Sequence, residues 1–353
     1  MRAAKAVRGG AAGAGFGLLM VLSVIVGQAR AQSAPVRVGT SNTSSDVGIY
    51  VAAEKGFFAE EGIRVETVSF GSGAQMIAPL GSGELSVGSG SASAGLYNAV
   101  ARGIAIRIVA DGGSAPPGYG HNILLVRRAL VESGRYRKPA DLKGMRVALT
   151  AMGASSTAML NDFLVGVGLR FSDIEPVYLS YPDHILALSH AKVDAALTAE
   201  PSATAAVSDG SAVRITSEDR FDPYHVASTI LFSGDFARNH RDEAQRFMRA
   251  YVRAVRFYND ALADGKLAGR TAEEVIAILV RDTRIKDART YREISPQGCN
   301  PDGVPNIDSL RRDLTFYQSQ GWINGKVAVE DAVDLSFVRA ADAQLGPYHS
   351  AAR

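Results

Sequence analysis

Short runs of β-branched and apolar residues alternate with stretches whose small and apolar residues recur at helical spacing, beginning at Val36-Arg37-Val38-Gly39. The first run leads into a helical pattern over 47–55, which stops at Gly56. Phe57-Phe58 then supplies a core anchor, and Gly62 reverses the chain into a second run over 64–69. Glycine at such a reversal suits a left-handed cap. Helix 74–80, strand 85–88, helix 91–101 and strand 104–110 continue the series, and this alternation predicts an α/β fold with mostly parallel sheets and flanking helices. Residues 111–120, Asp-Gly-Gly-Ser-Ala-Pro-Pro-Gly-Tyr-Gly, are too rich in Gly and Pro to continue any element and read as a connection between lobes. A second series of the same design follows, with strands 122–126, 145–149, 174–179 and 195–197 and helices 155–165 and 182–190. A break at Phe221-Asp222-Pro223-Tyr224 precedes strand 226–232. Helices 243–264, 272–280, 307–320 and 329–340 then form a tail expected to pack back on the first lobe. Gly81-Ser82-Gly83-Glu84-Leu85-Ser86-Val87 and Ser189-His190-Ala191-Lys192-Val193-Asp194-Ala195 both set a polar bend between a helix and a buried strand, an echo that suits two similar lobes.

Size supports the same division. The chain has 353 residues, of which 21% are charged, and a chain of this length usually splits into more than one core. The expected boundaries are 32–121 and 223–353 for the two parts of the first lobe and 122–222 for the second. At the start, Arg2, Lys5 and Arg8 precede an apolar run over 17–26 that ends in Ala29-Arg30-Ala31, the layout of a secretory signal peptide over 1–31. The apolar run is well short of the ~20 residues a membrane span needs. No cysteine near the cleavage site offers a lipid attachment point, so the mature chain is expected free in the periplasm. Removing the leader takes the formal charge from +2 to −2, which leaves no electrostatic case for a nucleic-acid partner or a polybasic membrane patch. Cys299 is the sole cysteine, so no intrachain disulfide forms.

Several chemistries lack their motifs. No Ser stands in a Gly-x-Ser-x-Gly elbow. Gly71-Ser72-Gly73 and Gly88-Ser89-Gly90 lack the third Gly of a dinucleotide site, and no Gly-Lys-Ser or Gly-Lys-Thr phosphate loop occurs. The six histidines include no pair at zinc-helix spacing and Cys299 has no partner, so neither a metal nor a cofactor is expected.

What the predicted strand ends do carry is small hydroxyl and glycine residues: Thr40-Ser41-Asn42-Thr43-Ser44-Ser45, Gly71-Ser72-Gly73, Ser89-Gly90-Ser91-Ala92-Ser93 and Met152-Gly153-Ala154-Ser155-Ser156. Each precedes a predicted helix. Any one of them reads as an ordinary N-cap. Four at the same end of their strands point instead to a cleft where helix N-termini hold an anionic head group. Ser41, Asn42, Ser45, Gly73, Gln75, Ser91, Ala92, Ser93, Met152, Ser155 and Ser156 are the candidate contacts from these loops. Tyr181 is a candidate apolar wall. His121, where the chain enters the second lobe, is either a hinge-side ligand contact or a satisfied structural histidine. Glu200, before Pro201, either accepts from a ligand or caps the next helix.

Three segments then carry a resemblance. Ala53-Glu54-Lys55-Gly56-Phe57-Phe58-Ala59-Glu60-Glu61-Gly62-Ile63, Ala140-Asp141-Leu142-Lys143-Gly144-Met145-Arg146-Val147-Ala148, and Lys192-Val193-Asp194-Ala195-Ala196 with Glu200-Pro201 resemble, in order and spacing, the periplasmic substrate-binding proteins of ABC importers of the nitrate, sulfonate and taurine type (NMT1/THI5-like). In the third segment, Ala191 stands where the family usually has Gly. The likeness runs from about Val36 to Val338. It implies a two-lobe, type II Venus-flytrap fold, working as a monomer, that bridges a small ligand between its lobes and presents it to an ABC permease of the inner membrane. A sulfonate, a carboxylate or an aromatic acid is the ligand class it suggests. The same fold also serves as the sensory subunit of a signalling receptor. The cysteine-rich motif of the pyrimidine-synthesising relatives is absent, which argues against their enzymatic role. No Arg falls in the predicted cleft loops, although Arg is the usual clamp for a carboxylate or sulfonate.

Overall fold

The computed structural model describes residues 34–350, so the predicted leader lies outside the described residues. Ten strands make two sheets: β1 Val36–Thr40, β2 Val65–Ser69, β3 Val87–Gly90, β4 Arg107–Ser114, β5 Asn122–Arg127, β6 Arg146–Leu149, β7 Glu175–Tyr178, β8 Ala195–Ala199, β9 Ala212–Ser217 and β10 Val226–Phe232. The first sheet runs β2-β1-β3-β10-β4 and the second β7-β6-β8-β5-β9. In the first, β1 pairs parallel with β2 and β3 while β10 is antiparallel to β3 and β4. The second repeats this, with β6 parallel to β7 and β8 and β5 antiparallel to β8 and β9. Each antiparallel strand is the one delivered by a crossing from the other half. With β6 to β9 laid over β1 to β4, the two sheets have one topology, and the echoed segments 81–87 and 189–195 lead into equivalent strands, β3 and β8.

Long-range pairing altered several expected boundaries. β4 continues through Asp111-Gly112-Gly113-Ser114, which pairs with β10. The glycines there serve close approach, since a Cβ on Gly112 would lie 2.8 Å from the Ser228 hydroxyl and one on Gly113 2.3 Å from the Gln297 amide oxygen. The crossing is therefore 115–121, and it pairs with the return crossing through Ala115 N to His225 O at 3.1 Å and Tyr224 N to Ala115 O at 2.8 Å. The helix expected after Glu200-Pro201 is Ser202–Ser208, and strand β9, which was not expected, completes the second sheet. The helix expected over 329–340 is two, Val329–Ala332 and Ser336–Leu345. Between them Val333 bridges Ile108 and Asp334 N donates to Ile108 O, which holds the chain extended along β4.

The tail follows its expected path only in part. Helix Arg241–Asn259 lies on the first lobe, where Phe232, Phe236, Phe247 and Phe337 interlock edge to face. Helix Ile307–Ser319, in contrast, packs against both Ala94–Ala101 of the first lobe and Ser155–Gly166 of the second, and Phe316 and Trp322 close on Phe171 at 5.5 and 5.8 Å. One hydrophobic core accordingly runs through both lobes. Among the described residues no helix is long and apolar enough to cross a membrane.

Candidate functional site

The carboxyl ends of all six parallel strands face one another across the two sheets. The lining comes from the segment after each strand: Ser41 to Thr43 with Ser45 after β1, Phe70 to Gly73 after β2, Ser89 to Ser91 at the end of β3, Thr150, Ala154 and Ser155 after β6, Ser180 to Pro182 with Ile185 after β7, and Pro201-Ser202 after β8. In α/β sheets this is where ligands bind. The halves touch here. Ala94 N donates to Gly153 O at 2.8 Å, Ser44 Oγ to Glu200 O at 3.2 Å and Ser155 Oγ to Ala227 O at 3.0 Å. Two backbones also meet within the first lobe, because a Cβ on Gly73 would sit 2.7 Å from Gly90 Cα. Only glycine lets these loops close.

Between the halves is a chamber of about 40 Å³, room for about three waters at ~10–15 Å³ each. Ten of its fourteen lining residues carry a hydroxyl and none is charged, so its polarity is neutral and two-sided. The helix starts around it are not equivalent. The Ser41–Thr43 loop already has an internal acceptor, because Asp46 takes the Ser41 N–H at 3.0 Å and the Thr43 N–H at 3.2 Å. Burial pushes the Asp46 carboxyl up to about 6, against hydrogen bonding from the Ser89 side chain and the Thr43 and Ser41 amides. The contact with Ser89 is loose, for Asp46 Oδ1 and the Ser89 hydroxyl both fall short of hydrogen-bond geometry. Helix Ala94–Ala101 is capped by Ser93 Oγ on Leu96 N at 3.2 Å. Helix Ser155–Gly166, with Ala154 at its N-cap, has no side-chain cap. Ala154 and Ser155, at the positive end of this helix dipole, line the chamber. The hydroxyl donors around the chamber come from both halves, Ser41, Ser45 and Ser91 from one and Thr150 and Ser155 from the other.

A second, larger cavity of about 210 Å³ adjoins the first and shares Ser41, Thr43 and Tyr181 with it. Its walls are mostly apolar: Phe70, Pro182, Ile185, Pro201 and Ile285. Asn42 lines it in a left-handed conformation, φ 55°, held by Nδ2 to Ser69 Oγ at 2.6 Å. Tyr181 is the partition between the two cavities, and burial pushes its phenol up.

The sequence-predicted residues divide accordingly. Ser41, Ser45, Gly73, Ser91, Ser155 and Tyr181 line the small chamber, and Asn42 lines the large one. His121 and Ser156 stand one layer back. His121 Nε2 meets Ser45 Oγ at 3.0 Å, burial pushes its ring down to about 4, and Ser156 Oγ meets Thr150 Oγ1 at 3.0 Å. Ala92 and Ser93 are buried outside the lining. Gln75 is exposed and folds back to accept Gly71 N at 2.9 Å, and Met152 is 61% exposed. Glu200 is fully buried as a helix cap, accepting Thr204 N at 2.8 Å and pairing with Arg214 at 2.6 Å, while its carbonyl reaches Ser44. Thr43, within the span 41–46 that the family resemblance implies, lines both cavities, whereas sequence reasoning missed Ser72, Ser89, Thr150 and Ser228 in the small chamber and Thr283, Arg284 and Ile285 in the large one. Of the missed residues, Ser72 and Ser89 lie inside the Ser-rich strand-end loops, whereas 283–285 follows helix Ala272–Asp282 with no local signal.

Known proteins share this architecture. The putative aliphatic sulfonates-binding protein of Escherichia coli K12 is 29% identical over 74% of this chain and 76% of its own length. The taurine-binding periplasmic protein of the same organism is 26% identical over 68% and 71%. The solved alkanesulfonate-binding protein SsuA from Xanthomonas axonopodis pv. citri, bound to MOPS, superposes with a TM-score of 0.67 at 23% identity, covering 86% of this chain and 99% of that one. That likeness establishes the two-lobe periplasmic-binding-protein fold. Residues 43–261 match the sequence profile described as NMT1/THI5 like, and with well over half of its length inside that match, this chain belongs to the NMT1/THI5-like family.

Proposed function

We propose that this chain is the extracytoplasmic solute-binding component of an ABC importer, and that it captures a small organic anion, a sulfonate before a carboxylate, by closing its two lobes on it. The observation that carries this reading is the convergence of six strand ends from two equivalent sheets on one neutral, hydroxyl-lined chamber faced by an uncapped helix N-terminus. The lobes in this reading comprise 32–121 with 223–353, and 122–222. Ser41, Ser45, Gly73, Ser91, Ser155 and Tyr181 hold the head group. His121 supports Ser45 from behind. The names of the relatives add weight to the sulfonate choice and to a permease partner and a periplasmic location. Ethanesulfonate, taurine and benzoate, added separately at millimolar concentration, are expected to raise the melting temperature, because a ligand that binds only the folded state stabilises it by mass action. If none of a broader panel of sulfonates and carboxylates shifts the melt or gives heat on titration, the reading fails.

A second reading rests on one contact, Ser45 Oγ to His121 Nε2 at 3.0 Å, the spacing of a nucleophile and its base. His121 Nδ1 has no partner to orient the ring, and a ring held near 4 is a weak base. A fluorophosphonate probe decides it. Labelling at Ser45 that is lost in His121→Ala would establish an acyl-transfer site, and an unlabelled protein leaves the capture reading alone.

A further inference from the structure

Building on the capture reading, we infer that Arg284 selects solutes with a second acidic group, making the large cavity a subsite for the far end of a two-headed anion. The small chamber holds a head group and little else, at about 40 Å³. The rest of any organic ligand must leave it, and the adjoining space is the 210 Å³ cavity beyond Ser41, Thr43 and Tyr181. That cavity has apolar walls that suit an alkyl or aryl body. Its lining contains one charged side chain, Arg284, and no carboxylate. Arg284 lies on the loop between helices Ala272–Asp282 and Ala288–Glu293 and is exposed. Among the described residues no hydrogen bond or ion pair engages it, in a protein where most arginines do have a carboxylate or carbonyl partner.

The base of this loop is fixed. Thr283 is buried, donates to Leu279 O at 2.7 Å and meets the Tyr291 hydroxyl. The backbone that carries Arg284 is thus held at the cavity while the guanidinium donors stay unused. A guanidinium in this state attracts a carboxylate or sulfonate and repels an ammonium. The head-group chamber lacks a cation, and so the cation of the site sits at its other end. A plain alkyl or aryl sulfonate would fill the cavity without using Arg284, and an amino-sulfonate would meet it unfavourably.

Three probes with one ring and one head group test this by calorimetric titration: 4-sulfobenzoate, benzenesulfonate and 4-(aminomethyl)benzenesulfonate. The parallel trio with a carboxylate head is terephthalate, benzoate and 4-(aminomethyl)benzoate. In the wild-type protein the probe with the distal acid is expected to bind about tenfold more tightly than the unsubstituted ring, and the ammonium probe more weakly than either. Arg284→Gln should bring the three within about twofold of one another, and Arg284→Glu should reverse the order. Equal affinities for all three in the wild type, or a preference that survives Arg284→Gln, overturns the selector and leaves the capture reading intact. Failure of all six probes to bind overturns both.

Discussion

The cleft mouth and the hinge side are held by different kinds of bond. Across the mouth the halves are joined by three neutral hydrogen bonds, Ala94 to Gly153, Ser44 to Glu200 and Ser155 to Ala227, each worth about 0.5–1.5 kcal/mol net. At the hinge the bonds involve charged groups, and all of these but Arg312 are buried. Glu218 accepts from His121 N, Asn122 N and Asn122 Nδ2 at 3.1, 3.2 and 2.7 Å, and Asp219 accepts from Gly118 N at 2.9 Å. His225, on the return crossing, pairs with Asp313 of the bridging helix Ile307–Ser319 at 3.2 Å, and Arg312 reaches Asp222 at 2.7 Å. Hydrogen bonds to charged groups run to about 1.5–3 kcal/mol each. On the capture reading, the contacts that part when the lobes open are the weak ones, and the contacts that survive opening are the strong ones. Stability and closure therefore depend on separate residues.

Breaking the hinge is expected to have the largest effect. Asp313→Ala leaves His225 buried without its main counter-charge and should cost about 3–5 kcal/mol in chemical denaturation. It should leave solute affinity near the wild-type value in whatever fraction stays folded. A melt within ~1 kcal/mol of wild type would show that the pair does not hold the joint. The same pair gives a pH signature. Burial alone would lower the His225 ring, but the carboxylates of Asp313, Asp222 and Glu218 outweigh it and hold the ring up at about 9, above its ordinary 6.5. The folded state then binds more protons than the unfolded one between those values, so this contribution is complete below about pH 6.5 and is lost as pH rises through 9. It amounts to about 3 kcal/mol. Glu218, pushed up by burial to about 7, adds loss in the same direction through neutral pH. Asp313→Asn should flatten the alkaline slope of the wild-type curve.

The cleft should show the converse. Gly153 has φ +69°, and a Cβ there would lie 2.6 Å from the Ala94 Cβ of the opposite half. Gly153→Ala should reduce solute affinity about 100-fold, about 2.7 kcal/mol, because closure is blocked. Its cost in stability should be no more than the ~1–2 kcal/mol of a left-handed alanine. Small-angle scattering would find the variant extended with solute present. Unchanged affinity would mean that the halves need not meet at this point.

The weak side of the comparison was also the more legible one. Ser- and Gly-rich strand ends are local signals, and the sequence located the small chamber through them, just as the apolar run 226–232 matched β10. The hinge was read as a Gly- and Pro-rich connection over 111–120 and a break at 221–224, without its bonds, because these join Glu218 to His121 and His225 to Asp313, partners 97 and 88 residues apart. β4 was cut short for a related reason: glycine signals a turn locally, but here it lets β10 and Gln297 approach. Asp46 lies in a loop that the sequence reading assigned to the cleft; its place in a Thr43-x-x-Asp46 capping box is a local signal for its bond to the Thr43 amide, but the bond to the Ser41 amide has none.

Asp46 sharpens the comparison, since it is a charge on the neutral side. Held at about 6, it is mostly protonated at pH 5 and ionised at pH 8, where it opposes an anion held by Ser41 and Thr43. Affinity for ethanesulfonate is expected to fall about tenfold over that range, about 1.4 kcal/mol. Asp46→Asn should hold the acid-side affinity throughout. A wild-type profile that is flat, or rises with pH, would remove the anion from this wall.

The smallest effect expected is that of Ser44→Ala, and it isolates the neutral bonds most cleanly. Ser44 is buried, donates to the Glu200 carbonyl across the cleft and does not line either cavity, so its loss changes closure without touching solute. Removing one neutral bond of about 1 kcal/mol should raise the dissociation constant about fivefold, chiefly through faster release, because the closed state is what the bond favours. The hinge remains intact in this variant, so its denaturation curve should overlay the wild type. A stability loss as large as that of Asp313→Ala would mean that mouth and hinge unfold as one unit and that the division of labour between them does not hold.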